Sequence, residues 1–189
     1  LHLSIRRQRQ MCIRDRRYVL TSGTTGEPKV VNFSGDTISS RLAQLDTYWA
    51  DSRPELNFMG LSTTGGFFSA LAALKHGYPY TAEEAIDRQS LERARELKIQ
   101  VLAGSPNQIG RALKLMKDYN IQISTLTEVR TAGSSPSEKL VAAVHEQLGV
   151  PLKSVYGSTE GGGIAFNILN PGDDISIAGS LVSGVELEV

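Results

Sequence analysis

The chain has 189 residues, of which 40% are hydrophobic and 21% charged, and its 20 lysines and arginines balance 20 aspartates and glutamates. This length and apolar content suffice for one substantial core, so we predict one domain or most of one. No apolar run approaches the roughly 18 residues of a membrane span, and the one cysteine, Cys12, excludes an internal disulfide. We therefore expect a soluble, cytoplasmic protein without a membrane span.

Residues 1–17 differ in charge from everything that follows. They hold six arginines and one aspartate, which leaves this segment at +5 and the remainder at −5. One reading is a basic arm for nucleic acid or anionic lipid. The other is a disordered or non-native extension, which we favour because the segment has no lysine and no aromatic residue. We predict no nucleic-acid partner.

From residue 18 onward, strand patterns alternate with helix patterns. Helical spacing places two apolar sets on helix faces: Ile109, Leu113 and Met116, and Leu140, Val144 and Leu148. Short apolar or β-branched runs predict strands at 18–21, 30–33, 56–61, 101–103, 129–132 and 152–156. This alternation is typical of an α/β layered fold with a mostly parallel sheet flanked by helices.

The helix that contains Leu140 has a start signal in its sequence. Ser135 is the expected N-cap, Pro136 the first helical residue, and Glu138 lies three residues after the cap. Serine followed by glutamate at this spacing is a capping box, so we predict that the helix begins at Pro136.

The first predicted strand runs into TSGTTGEPK, residues 21–29. Gly23 and Gly26 permit backbone conformations that direct several N–H groups at one point, and hydroxyl groups and Lys29 add donors and charge. The loop is either a cradle for phosphate oxygens or an ordinary turn between strands 18–21 and 30–33. Pro28 and Lys29 favour the phosphate reading.

Two common phosphate-binding loops do not fit this stretch. A Walker loop places its lysine directly after the last glycine and opens a helix, whereas Glu27 and Pro28 separate Gly26 from Lys29 and a β-branched run follows. A dinucleotide-binding loop needs GxGxxG, and only its last G-x-x-G is present. Hydrolase chemistry is also disfavoured, because the G-x-S-x-G string of a nucleophile elbow does not occur.

TSGTTGEPK closely resembles the phosphate-binding signature of adenylate-forming enzymes, which include acyl-CoA synthetases, aryl-CoA ligases, luciferases and peptide-synthetase adenylation domains. VYGSTEGGG, residues 155–163, is similar to the same family's Tyr-Gly-x-Thr-Glu core. RTAGSSPSEKL stands between them, where the family has an adenine-contacting turn, and IAGSLVSGVELEV resembles the segment before its ribose-binding aspartate. The resemblance covers residues 18–189.

The resemblance implies a role for each matching residue. Glu160 would bind Mg²⁺, and Thr159 would hydrogen-bond the α-phosphate of ATP. Tyr156 would stack on adenine, with Gly157 and Ser158 in the same nucleotide-binding core. The backbone along the base edge would come from Gly133, Ser134 and Ser135. The phosphates that leave as pyrophosphate would be held by Thr21, Ser22, Gly23, Thr24, Thr25, Gly26 and Lys29. Lys29, Thr159 and Glu160 are the expected catalytic residues.

The implied activity is an ATP-dependent, AMP-forming ligase that activates a small carboxylic acid as an acyl-adenylate. The acyl group would pass to CoA or to the phosphopantetheine thiol of an acyl carrier protein. No aspartate stands where amino-acid-activating members hold an α-ammonium group, so a plain carboxylic acid is favoured. Phe67, Phe68 and Leu71 have helical spacing and would either line an acyl pocket or pack in the core.

The family's later ribose-binding aspartate and small C-terminal domain have no counterpart before Val189. We therefore expect residues 18–189 to be a central fragment of an adenylation domain, inactive alone. The alternative is a nucleotide-binding module without turnover.

Overall fold

The computed structural model describes residues 15–21, 29–48, 53–186 and 188. Its helices are α1 (Gly35–Tyr48), α2 (Thr64–His76), α3 (Arg88–Glu96), α4 (Pro106–Asp118) and α5 (Glu138–Leu148). Its strands are β1 (Asp15–Thr21), β2 (Lys29–Ser34), β3 (Glu55–Asn57), β4 (Tyr80–Ala82), β5 (Val101–Gly104), β6 (Glu128–Ala132), β7 (Leu152–Ser158), β8 (Gly162–Leu169) and β9 (Ser180–Leu181). No helix in these ranges is long and apolar enough to cross a membrane.

Seven strands form the main sheet, in the order β4-β3-β5-β6-β7-β8-β9. The pairings from β4 to β7 are parallel, whereas β7 with β8 and β8 with β9 are antiparallel. Helices connect the parallel strands, as parallel pairing requires a crossover. The predicted α/β fold with a mostly parallel sheet is therefore confirmed.

The first two strands form a separate antiparallel hairpin in which Thr21 and Lys29 are direct partners. The strands on either side of TSGTTGEPK pair as the turn interpretation predicts. This pairing does not exclude the phosphate interpretation, because both interpretations place a loop between the two strands. Residues 22–28 of that loop lie outside the described residues.

Strand β1 begins at Asp15, before the predicted domain boundary at residue 18. Arg17, which was assigned to the basic leader, lies with its guanidinium carbon 4.0 Å from the centre of the Phe67 ring. It also donates a hydrogen bond to the carbonyl of Leu61. Residues 1–14 of the predicted leader lie outside the described part of the chain.

Helix ends follow capping chemistry, with one correction to the sequence prediction. The helix predicted to start at Pro136 with Ser135 as N-cap starts instead at Glu138, and its N-cap is Ser137. The Ser137 hydroxyl accepts from the amide of Leu140 at 3.2 Å. Ser135 does not cap the helix, and its hydroxyl instead donates to the carbonyl of Ile175 at 3.3 Å.

Two apolar clusters hold the layers together. The larger lies between the parallel strands and helices α3 to α5, and includes the predicted helix-face residues Ile109, Leu113, Met116, Leu140 and Val144, with Leu148 packed against it. The smaller joins the hairpin to α1 and α2 through Val19, Phe33, Leu45, Phe68 and Ala72. The hairpin is therefore docked onto the helices beside the main sheet.

A buried ion network crosses the strands next to these clusters. The guanidinium of Arg130 is 3.2 Å from the carboxylate of Glu55 and also contacts that of Glu128. Glu55 is fully buried, and burial raises its pKa despite Arg130 and a 2.8 Å hydrogen bond from Asn57. Asn57 also accepts from the amide of Met59 at 2.9 Å, so the network fixes the chain where it leaves β3.

Candidate functional site

A cavity of about 630 Å³ lies at the carboxyl ends of the parallel strands. Ser105 follows β5, Gly133 follows β6, Gly157 and Ser158 end β7 and Thr159 follows it, and all of these residues line the cavity. In open α/β sheets this edge is where ligands bind. The cavity is therefore the first candidate for a substrate site.

Helices α1 and α2 form the opposite wall, which carries both apolar and polar side chains. Leu45 and Phe68 reach the cavity from these helices, and Met59 reaches it from the segment after β3. Phe68 is 5% exposed and packs edge-to-face on Phe33, with ring centres 5.7 Å apart. Phe68 thus belongs both to the core and to the cavity wall, so the two readings of this residue do not exclude each other.

The wall near β5 is held by a capped helix start. Ser105 and Gln108 form a capping box at the beginning of α4. The Gln108 amide nitrogen donates to the carbonyl of Phe58 at 2.7 Å, and its oxygen accepts from the amide of Ser105 at 2.8 Å. The side chain of Gln108 is therefore committed to holding the wall.

The β7–β8 turn carries the predicted Tyr-Gly-Ser-Thr-Glu residues at the cavity mouth. Ser158 pairs with Gly162 across the turn, and the Ser158 hydroxyl accepts from the amide of Gly161 at 2.9 Å. A Cβ on Gly157 would lie 2.1 Å from the carbonyl oxygen of Gly162, so only glycine fits there. The turn is consequently tight and defined in direction.

Arg41 of α1 reaches this turn from the other wall. Its guanidinium donates to the carbonyl of Thr159 at 2.8 Å and also to the carbonyl of Glu160. The sequence reading missed Arg41 and its neighbour Gln44, although both line the cavity. The available signal was the spacing of Ile38, Leu42 and Leu45, which predicts the amphipathic helix that carries them.

The predicted nucleotide residues fall into two groups. Gly133, Gly157, Ser158 and Thr159 line the cavity, and Gly133 has a positive φ of 92°. Tyr156 is 60% exposed and is not among the lining residues. Ser134, Ser135 and Glu160 are exposed beside them. The structure thus brings residues 133–135 and 156–160 to neighbouring strand ends.

The phosphate-loop residues are only partly described. Thr21 and Lys29 are cross-strand partners at the end of the hairpin that joins the loop, and Lys29 is exposed. Ser22, Gly23, Thr24, Thr25 and Gly26 lie outside the described residues. Their assignment to phosphate oxygens stays a prediction.

Comparison with known protein families gives a match to the family described as AMP-binding enzyme, over residues 18–189. The match spans most of the chain and both motifs. The chain belongs to the AMP-binding enzyme family. The family membership predicted from TSGTTGEPK and VYGSTEGGG is thereby confirmed.

Relatives within the AMP-binding enzymes include a 4-chlorobenzoate–CoA ligase from Arthrobacter sp, which is 26% identical over 153 residues. That alignment takes in 78% of this chain and 29% of the ligase. The chain therefore spans under a third of the length of this relative.

Solved structures of AMP-binding enzymes share the fold. An amide bond synthetase, McbA from Marinactinospora thermotolerans, superposes with a TM-score of 0.75 at 27% identity, covering 91% of this chain and 36% of the synthetase. The o-succinylbenzoate coenzyme A synthetase MenE from Bacillus subtilis, solved with ATP and a magnesium ion, gives a TM-score of 0.72 at 17% identity. It covers 88% of this chain and 35% of MenE.

An AMP-binding enzyme of this kind would use Mg²⁺ with its nucleotide, and Glu160 is the residue to test for fit. Within the described ranges, no group of three or more His, Cys, Asp and Glu side chains could hold a metal. Mg²⁺ usually binds one or two carboxylates together with phosphate oxygens and several waters. The exposed carboxylate of Glu160 at the turn fits an ion that arrives with the nucleotide.

Proposed function

We propose that residues 18–189 form the central part of an adenylation domain in an ATP-dependent, AMP-forming ligase. The enzyme would activate a carboxylic acid as an acyl-adenylate and pass the acyl group to a thiol. The observation that carries this proposal is the mainly apolar cavity that is lined in part by residues 157–159 of the family motif. An apolar acid would lie in the cavity with its carboxylate at the turn.

The first step joins acid and nucleotide. A carboxylate oxygen attacks the α-phosphorus of ATP, an O–P bond forms, and the bond from that phosphorus to the bridging oxygen breaks as pyrophosphate leaves. Charge on the phosphate oxygens opposes the attack, so positioned donors and cations lower the barrier. Thr159 lies at the cavity mouth, where its hydroxyl would donate to an α-phosphate oxygen.

The departing phosphates would be held on the hairpin side. Lys29 would supply positive charge at the end of β2, opposite Thr21. Residues 22–26 would supply backbone and hydroxyl donors to the same oxygens. Glu160 would hold Mg²⁺, which would neutralise charge on the phosphates when bound.

The adenine would lie outside the acid cavity, over the strand ends. Tyr156 offers an exposed ring on β7, and residues 133–135 offer backbone groups after β6. Stacking on the ring and hydrogen bonds to the base edge would orient the nucleotide. Gly157 and Ser158 would complete this contact surface between base and phosphates.

The second step transfers the acyl group. A thiol sulfur attacks the acyl carbon, the bond to the AMP oxygen breaks, and the thiol proton passes to solvent. CoA or the phosphopantetheine of an acyl carrier protein would supply the thiol. A cytoplasmic location would suit a reaction that consumes ATP and CoA. We expect the 189-residue chain alone to lack this turnover.

Carboxylate-dependent exchange of pyrophosphate into ATP tests the proposal. The assay uses the 189-residue chain and a version extended at both ends to the length of the ligase relatives, with a panel of fatty and aryl acids. We expect exchange in the extended protein and its loss, by at least about a hundredfold, in Lys29→Ala and Glu160→Ala. Arg111→Ala, which changes an exposed arginine on α4, is the matched control and keeps exchange.

Absence of exchange in the extended protein for every acid, while Mg·ATP still binds, would contradict the ligase proposal. It would instead support a nucleotide-binding module without turnover. Equal loss of exchange in Arg111→Ala would show that the effects of the two site variants are not specific.

A further inference from the structure

We propose that Arg41 is a positioning residue that holds the Thr159–Glu160 turn in place for nucleotide and Mg²⁺. This inference rests on the proposed function, because it assigns Arg41 a role through those two residues. Arg41 is not expected to contact the reacting atoms itself.

The guanidinium of Arg41 contacts the two residues to which we assign α-phosphate and Mg²⁺ binding, Thr159 and Glu160. One guanidinium nitrogen donates to the carbonyl of Thr159 at 2.8 Å, and the other donates to the adjacent carbonyl of Glu160. A guanidinium presents its donors in a rigid planar fork, and hydrogen bonds from a charged donor are about twice as strong as neutral ones. Two consecutive peptide groups are thus tied to one rigid group.

The guanidinium is itself held by aromatic rings. Its central carbon lies 4.5 Å from the ring centre of Phe33 and 5.7 Å from that of Phe68. Phe33 is 1% exposed and belongs to β2, the strand that begins at Lys29. Arg41 therefore connects the strand that carries the predicted phosphate lysine to the turn that carries the predicted magnesium ligand.

The turn is shaped to receive this side chain. Gly162 has a positive φ of 77°, and a Cβ there would lie 3.5 Å from Nε of Arg41 and 3.4 Å from Oε1 of Gln44. A larger residue at this position would be strained by its backbone conformation, whereas the distances to the side chains of α1 are those of ordinary van der Waals contact. The backbone course of the turn thus depends on glycine at position 162, and Arg41 and Gln44 pack directly against that position.

Removing the guanidinium has a defined physical consequence. Two carbonyl groups lose their common donor, and the turn keeps its own strand pairing and the hydrogen bond to the Ser158 hydroxyl. The Thr159 hydroxyl and the Glu160 carboxylate would sample more directions, so nucleotide binding would cost more ordering entropy. The loss of affinity should be larger with Mg²⁺ than without it, because Glu160 acts through the metal whereas Thr159 would contact the phosphate directly.

Hydrogen exchange in the nucleotide-free 189-residue chain tests the positioning directly. We expect Arg41→Ala to speed amide exchange about tenfold in peptides covering 157–163, without changing exchange in β5 or β6. Arg41→Lys keeps the charge but not the two-pronged donor, so its exchange should be intermediate. Arg88→Ala is the matched control, because Arg88 also lies over an aromatic ring, that of Tyr119 at 5.4 Å, far along the chain from the turn.

Calorimetric titration with ATP, with and without Mg²⁺, tests the link to Glu160. We expect Arg41→Ala to weaken Mg·ATP binding about tenfold and magnesium-free ATP binding by a smaller factor, about threefold, because the contact of Thr159 with the α-phosphate needs no metal. Glu160→Ala should then have little further effect in the Arg41→Ala background, because both changes remove the same interaction.

Faster exchange at 157–163 together with non-additive binding losses supports the proposal. Unchanged exchange in Arg41→Ala overturns it, whatever the nucleotide does, and so do additive losses in the double variant. Failure of the wild-type chain and its extended form to bind Mg·ATP is a separate result. It contradicts the proposed function, and it also overturns a nucleotide role for Arg41.

Discussion

Gly157 and Gly162 approach so closely across the β7–β8 hairpin that a Cβ on Gly157 would lie 2.1 Å from the carbonyl oxygen of Gly162. The contact is with backbone, which cannot rotate away as a side chain can. Position 157 of the motif therefore requires glycine, because any Cβ would clash with the backbone of the facing strand. The same close approach sets the direction of the turn that follows.

Gly157→Ala should lower the free energy of unfolding by about 1–3 kcal/mol, because the added methyl group forces the two strands apart. The same displacement should weaken Mg·ATP binding. Urea unfolding and calorimetry measure the two effects. Gly110→Ala is the control, since a Cβ at that helical position meets nothing nearer than Leu140 at 3.9 Å, and alanine favours the helix. Equal stability of Gly157→Ala and wild type would contradict the close approach.

Arg130→Met should destabilise the fold by about 3–5 kcal/mol, because it leaves the buried carboxylate of Glu55 without its charged partner. The double variant Arg130→Met with Glu55→Leu removes both charges and should recover much of the loss. Chemical denaturation of the single and double variants measures this. No recovery in the double variant would show that the pair does not account for the cost.

Stability should depend on pH through Glu55. Burial holds its folded-state pKa above the ordinary value of 4.5. The folded protein therefore retains a proton that the unfolded chain releases, so the free energy of unfolding decreases as pH rises from 4.5 toward the folded-state pKa. Glu55→Gln should flatten this slope in urea unfolding measured across that range. An unchanged slope would refute the assignment to Glu55.

The pKa of Asp46 is shifted in the opposite direction from that of Glu55, so Asp46 provides a control for the pH dependence. A 2.5 Å hydrogen bond from Lys75 is the main cause that lowers its pKa below 3.8, and His76 adds a second contact at 2.7 Å. Its contribution is present above that ordinary value and is lost as pH falls through the lowered one. Asp46→Asn should therefore lower the free energy of unfolding above pH 3.8 and have little effect at the acid end, and the loss should be small because the pair is largely exposed to solvent.

In the extended protein, Phe68→Leu should enlarge the cavity and change the preference among carboxylic acids more than it changes the KM for ATP, both measured by pyrophosphate exchange. Its loss of stability should be about 1–2 kcal/mol, from smaller volume and two lost edge-to-face contacts. Phe58→Leu is the matched control, because Phe58 is 1% exposed but does not line the cavity. Equal changes of acid preference in both variants would exclude a specific role for Phe68.

Some elements were predictable from local pattern, and others were not. The faces of α4 and α5 follow from apolar spacing, since Ile109, Leu113 and Val144 are all buried. The start of α5 was predicted two residues too early, because both Ser135 and Ser137 can cap a helix. In the folded chain the Ser135 hydroxyl donates to the carbonyl of Ile175, and Ser137 is the cap. Strands β4, β8 and β9 were missed: β4 and β9 are short and held by neighbouring strands, and β8 begins within the glycines of the VYGSTEGGG motif.

The sequence by itself determined the family, the alternation of strands and helices, and the two motifs, because these depend on residues close together in the chain. Only the tertiary structure decided what surrounds them. Arg41 is 118 residues from Thr159, and no local pattern relates the two. Their contact exists because α1 packs beside β8 and places a guanidinium against two carbonyl groups, which is a property of the folded layers.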